Sequence, residues 1–167
     1  MARTRTGIVV MHRLAVALLT WTCLLSGAAS GLTAVDGEKL EDLYAVDHLV
    51  LHGARECVGF QVYLAEESWQ KARGLMYVAA LPKDWGMLFR YATPRRFSMY
   101  MKNTLIPLDM VFLDADGTIV DIATDTTPGS LKSITPAGAA VAVLEINAGL
   151  SSYWGFAKGG KLLVDAS

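Results

Sequence analysis

Cysteine is almost missing from this chain, with two in 167 residues. A disulfide framework of the kind that holds small loop-rich secreted domains together is therefore excluded. An excess of either charge is missing as well: 15 Lys and Arg stand against 16 Asp and Glu, a formal net charge of −1. Nucleic-acid binders normally show a basic excess, so no nucleic-acid partner is expected. Also absent are a phosphate-binding Gly loop, a Cys-x-x-Cys pair and a Ser-His-Asp arrangement. What is abundant is apolar surface, 53% of residues against 19% charged. That is too apolar for a disordered chain and enough for one ordinary domain.

Residues 1–29 read as a secretory signal peptide. Arg3, Arg5 and Arg13 form a positive start with no acid before Asp36, and Leu14 to Leu25 is a nearly unbroken apolar run. Ser26-Gly27-Ala28-Ala29-Ser30 then supplies the small residues of a cleavage site, after Ala29 or one residue later. As a helix the run would span about 18 Å, short of the roughly 30 Å hydrocarbon core. Cleavage and export to the periplasm or beyond are therefore expected, with no membrane span left afterwards. The expected mature chain has 12 basic and 16 acidic residues, and Cys57 is its one cysteine. A lone cysteine near the start of an apolar strand is expected to be buried.

Residues 30–45 show no sustained period and read as a leader, so a single domain is expected over 46–165. Val46–His52 alternates weakly and Val58–Leu64 well, as strands do. Glu66–Arg73 has acids in its first turn and Lys71 and Arg73 in its last, matching a helix dipole, and Gly74 follows as its cap. Gly86–Tyr91 reads as a strand broken by Thr93-Pro94, and Arg96–Met101 as another. Leu108–Leu113 and Thr118–Ala123 flank Asp114-Ala115-Asp116-Gly117, a hairpin connection. Ala139–Asn147 is apolar on both faces and predicts a central strand. Gly149–Phe156 predicts a short helix and Lys161–Val164 a last strand. Strands that do not alternate with helices point to a mainly β fold, a small antiparallel sandwich or jelly-roll-like barrel with one or two short helices.

Several segments resemble one known family. They are Arg73-Gly74-Leu75-Met76, Leu81-Pro82 with Gly86-Met87-Leu88-Phe89, and above all Met101-Lys102-Asn103-Thr104-Leu105-Ile106-Pro107-Leu108-Asp109. Asp116-Gly117-Thr118-Ile119 and Val143 to Gly149 follow in order. Together they are similar to the bacterial and archaeal family called domain of unknown function 192. Tyr100 stands where the family usually has Trp, and Gly159-Gly160 where it tends to have Gly-Asp. The resemblance implies a compact, mainly β, often exported domain, and implies no reaction and no cofactor.

The polar residues inside these motifs are the candidate site: Arg73, Lys102, Asn103, Asp109 and Glu145, with Tyr100 as an aromatic wall. A carboxylate in an apolar strand is costly unless paired, so Asp109 and Glu145 are expected to face Arg73, Lys102 or both. Two readings stay open, a pocket for an anionic or carbonyl-bearing ligand and a buried ion-pair network. The first suggests a non-enzymatic binding or accessory module, its partner a small molecule or an envelope protein. An alternative is a hydrolase with Asp109 or Glu145 as acid–base and Lys102 as stabiliser. Another is copper(I) held by Met76, Met87, Met99, Met101 and Met110, although methionine more often fills core gaps. His48 and His52 lie about 13 Å apart on a strand, too far for one metal ion. No metal site is expected from them.

Overall fold

A computed structural model describes residues 39–52 and 57–163. The signal peptide, its cleavage site, most of the leader and Val164 lie outside the described residues. In chain order the elements are α1 (Leu40–Leu43), β1 (Ala45–His52), β2 (Cys57–Ala65), α2 (Ser68–Arg73) and β3 (Trp85–Arg95). Then follow β4 (Leu108–Leu113), β5 (Ile119–Ala123), β6 (Ala140–Asn147), α3 (Leu150–Tyr153) and β7 (Leu162–Leu163).

The strands form one seven-stranded sheet in the order β5-β4-β6-β3-β2-β1-β7. Both faces are buried, as alternation along each strand requires. One face carries Tyr63, Met87, Phe89, Met110 and Phe112, covered by Leu40, Tyr44, Leu75 and Met101. The other carries Phe60, Val62, Leu88, Val111, Leu144 and Ile146, packed with Leu49 and Phe156. A bridge from Thr118 to Lys161 brings the β5 and β7 edges together at one point. Among the described residues no ladder closes the sheet into a barrel, and the fold is mainly β and sandwich-like.

Local signals place most elements. Glu67 and Gln70 make a capping box at the start of α2, and Gly74 ends it at φ 51°. A Cβ on Gly74 would also stand 3.1 Å from Phe89 Cζ, so glycine serves both the turn and the packing. In the β4–β5 hairpin the Asp114 carboxylate accepts from the N–H groups of Asp116 and Thr118, at 3.0 and 2.8 Å. β6 lies inside the sheet between β4 and β3, as its two apolar faces predict.

Five expectations are corrected. β2 and β3 pair in parallel, joined by a crossover through α2, so the sheet is mixed. β3 does not stop at Thr93-Pro94 but runs to Arg95, with a register shift between Arg90 and Arg95 that admits the proline. Arg96–Met101 is not a strand; its one ladder contact is a bridge from Met99 to Ile134. Leu40 and Tyr44, read as leader, are core residues around a third short helix, α1. Cys57 is exposed, because it starts β2 and alternates with Val58 and Phe60, whose side chains pack on the core.

Candidate functional site

The register of β4, β6 and β3 decides where the two strand carboxylates go. Glu145 on β6 stands opposite Met87 of β3 and Met110 of β4, while Asp109 of β4 stands opposite Ile146. The two carboxyls therefore point to opposite faces of the sheet. This corrects the expectation that both face Arg73 and Lys102.

Asp109 is 0% exposed and fully engaged. It accepts from the backbone N–H of Asp125 at 2.9 Å and of Ser151 at 3.0 Å, and from the Ser151 hydroxyl at 2.6 Å. Ser151 lies in the first turn of α3, where a carboxylate satisfies unpaired N–H groups. Asp109 thus ties β4 to α3 and to the turn before Thr126. It lines neither cavity described below.

Glu145 lies at the floor of a cleft of about 440 Å³. Arg73, Lys71 and Lys102 form its cationic wall, Tyr91 and Tyr100 its aromatic side, and Met76, Met99 and Phe89 its apolar lining. Glu145 is 4% exposed, and its carboxyl makes no hydrogen bond or ion pair among the described residues. Burial alone raises its pKa from the ordinary 4.5 to about 8. At neutral pH the group is mostly a neutral acid, able to donate one hydrogen bond and accept others. Arg73 shares the cleft, and its Nε and Nη2 atoms are sealed from solvent. Among the described residues, the side-chain ion pair that forms lies elsewhere, between Arg90 and Glu66 at 3.3 Å.

The walls are rigidly built. Tyr91 stacks on Phe97 at 4.2 Å between centroids and lies under two cations, Lys71 at 5.0 Å and Arg95 at 4.9 Å. Burial pushes its phenol up, Arg95 pulls it back, and the nearby Glu145 adds to the rise. On the other side Tyr77 and Asn103 both adopt left-handed backbone, at φ 65° and 55°. The Tyr77 N–H donates to the Asn103 carbonyl at 2.9 Å, and Asn103 Nδ2 donates to the Tyr77 hydroxyl at 2.8 Å. This clamp joins the Arg73–Met76 segment to the Met101–Thr104 segment and holds Lys102 at the rim.

Of the six residues predicted from sequence, the fold gathers Arg73, Tyr100, Lys102 and Glu145 at one cleft. Asn103 sits in the adjoining hollow, and Asp109 is on the far face. Lys71, Tyr91, Ser98 and Leu131 also line the cleft and were not foreseen. Leu131 did carry a signal, as one of two large apolar residues, with Ile134, in the polar stretch Pro128–Pro136. Met76 and Met99 are at the cleft, whereas Met87, Met101 and Met110 are core. No group of three or more His, Cys, Asp or Glu able to hold a metal occurs among the described residues.

The described residues thus form a mixed, mainly β sheet with a cation-walled cleft over a buried acid. The chain belongs to the family DUF192, described as "Uncharacterized ACR", whose model matches residues 50–164. Two solved structures are similar. One is a Sinorhizobium meliloti 1021 protein provisionally described as a transcription regulator, with TM-score 0.70 and 37% identity over 72% of this chain and 95% of that one. The other is a protein of unknown function from Novosphingobium aromaticivorans DSM 12444, with TM-score 0.68 and 31% identity over 81% of this chain and 94% of that one. No curated protein matches at a significant level.

Proposed function

We propose that the chain is an exported, non-enzymatic binding or accessory module whose cleft holds a small anionic ligand. The observation that carries this reading is Glu145, a buried acid without a partner among the described residues, at the floor of a cleft walled by Arg73, Lys71 and Lys102. A neutral carboxyl does not repel an anion, and its O–H can donate to one. Exposed Lys102 can supply a charge-assisted hydrogen bond to the anion, and Lys71 and Arg73 add positive potential around it. The arginine-led, apolar N-terminus supports export.

Binding stabilises the folded state by mass action, so acetate, lactate and inorganic phosphate are suitable first probes in thermal unfolding. At least one is expected to raise Tm in the wild type and to do so less in Lys102→Met. Equal response of both proteins to all three would remove the reading. For export, the mass of the protein in the periplasmic fraction is expected to match a chain beginning at Ser30 or the next residue. Full-length protein confined to the cytoplasm would contradict it.

A second reading is favoured by the same carboxyl. A pKa near 8 suits a general acid, and of the two acids considered for hydrolysis Glu145 is the one open to the cleft. Hydrolysis of simple carboxylate esters that disappears in Glu145→Gln would favour it over binding alone.

A further inference from the structure

The cleft over Glu145 is half of a longer groove. Past Lys102 the surface opens into a second hollow of about 600 Å³, floored by Asn103 and Thr104 and flanked by Leu105, Pro128 and Leu131. Lys102, Thr104 and Leu131 line both hollows, so the two are continuous with Lys102 between them. Their chemistry differs. The first holds three cations and one acid, whereas Lys102 is the one charged residue lining the second.

The apolar side of the second hollow is exposed yet held in place. Leu131 is 70% exposed and Leu105 is 51%. The loop that carries Leu131 is pinned to the segment before it. The Met101 N–H donates to the Ser130 carbonyl, and the Gly129 N–H to the Thr104 carbonyl, both at 3.0 Å. On its far side Met99 and Ile134 exchange backbone hydrogen bonds of 2.9 Å. Two leucines kept in water on a fixed wall beside a cationic cleft are complementary to a molecule with one charged end and one apolar end.

We infer that this groove binds a carboxylate carried on an apolar body. The head lies between Lys102 and Arg73 above Glu145, and the body runs along Leu131 and Leu105. The inference rests on the anion-binding reading above and adds the ligand class. Free aliphatic acids and the C-terminal carboxylate of a peptide with apolar last residues share this chemistry.

Calorimetric titration of the mature protein with acetate, butanoate, hexanoate and octanoate tests it, with octanol and an alanyl-leucyl-leucine peptide, free or amidated at its C-terminus. Affinity is expected to rise with chain length, at most about fourfold per methylene. Octanol and the amidated peptide should bind far more weakly than their acid forms. In Leu131→Ser the gain with length should shrink, with octanoate losing far more affinity than acetate, and Lys102→Met should weaken every acid. Both positions are exposed, so circular dichroism is expected to match the wild type. If octanoate binds no more tightly than acetate, or if Leu131→Ser leaves the length dependence intact, the apolar half is wrong and the anion site stands. Octanol binding as tightly as octanoate would also overturn the inference. If no acid of any length binds, the anion-binding reading falls with it. A free-terminus peptide that outbinds the simple acids assigns the source as a peptide end; the reverse order assigns it as a free acid.

Discussion

Asp109 and Glu145 sit on neighbouring strands, one register step apart, and differ in almost everything their surroundings impose. Asp109 is surrounded by three donors, all from the chain itself, and has no route to a ligand. Glu145 is flanked by two buried methionines, has no partner among the described residues, and lies in a cleft lined by Lys71, Arg73 and Lys102. Burial is equally deep for both. What separates the two carboxyls is therefore not depth but whether the fold supplies the compensating donors. A satisfied buried carboxylate organises structure, whereas an unsatisfied one is kept neutral and left available.

The sharpest way to break this contrast is to remove Asp109. Asp109→Ala strands two backbone N–H groups and a hydroxyl inside the protein and should cost about 4 kcal/mol in urea unfolding. A loss under about 1 kcal/mol would show that Asp109 is not the anchor described.

Glu145 should show its character through pH. Its folded pKa of about 8 lies above its ordinary 4.5, so the folded state keeps a proton that the unfolded chain releases. Stability should therefore be highest below about pH 4.5 as far as this group is concerned, fall as pH rises to about 8, and level off beyond. The fall should be on the order of 5 kcal/mol, and Glu145→Gln should abolish it. Parallel pH profiles for the two proteins would mean that Glu145 is charged at neutral pH.

A smaller effect tests the frame that holds Glu145. A Cβ on Gly86 would lie 2.7 Å from the Glu145 backbone carbonyl. Gly86→Ala must push β3 from β6 and should cost about 2 kcal/mol, read as a lowered Tm. The smallest expected change is at Lys102. Lys102→Met should alter stability by less than about 0.5 kcal/mol while reducing anion binding. A large destabilisation would make Lys102 structural and return the cleft to the ion-pair reading.

The parts of the fold legible in the sequence are those with a local cause. The β4–β5 hairpin follows from alternation on both sides of an Asp-rich turn, α2 from its charged ends and Gly74, and β6 from its double apolar face. The elements that escaped depend on distant partners. α1 is too short to show a period, and Leu40 and Tyr44 count as core only because the sheet face above Tyr63 needs a cover. Arg96–Met101 alternates like a strand, yet it lies over the sheet and not within it, its Met99 bridging the 128–136 loop. Pairing of β2 with β3 in parallel reverses an inference drawn from the scarcity of helices, because one short crossover is sufficient for one parallel pair.

The candidate site divides in the same way. Its residue types were readable from the motifs: a cation after a short helix, Lys-Asn before a proline, and an acid inside each of two apolar strands. Their grouping was not. Side chains alternate along a strand with a period of two, so a shift of one residue in the β4–β6 register would bring Asp109 and Glu145 to the same face.

From the near absence of cysteine and of net charge, the sequence by itself determined that no disulfide framework or basic surface defines this protein. Its apolar content and short alternating runs determined a mainly β fold, and its motifs determined the family. Only the tertiary structure decided that Asp109 is bound by the chain's own donors, and that Glu145 is buried without such donors in a cleft that Arg73, Lys102 and Leu131 also line. The physical reason is that polarity is written in single residues, whereas desolvation and its compensation depend on which distant strands and loops meet.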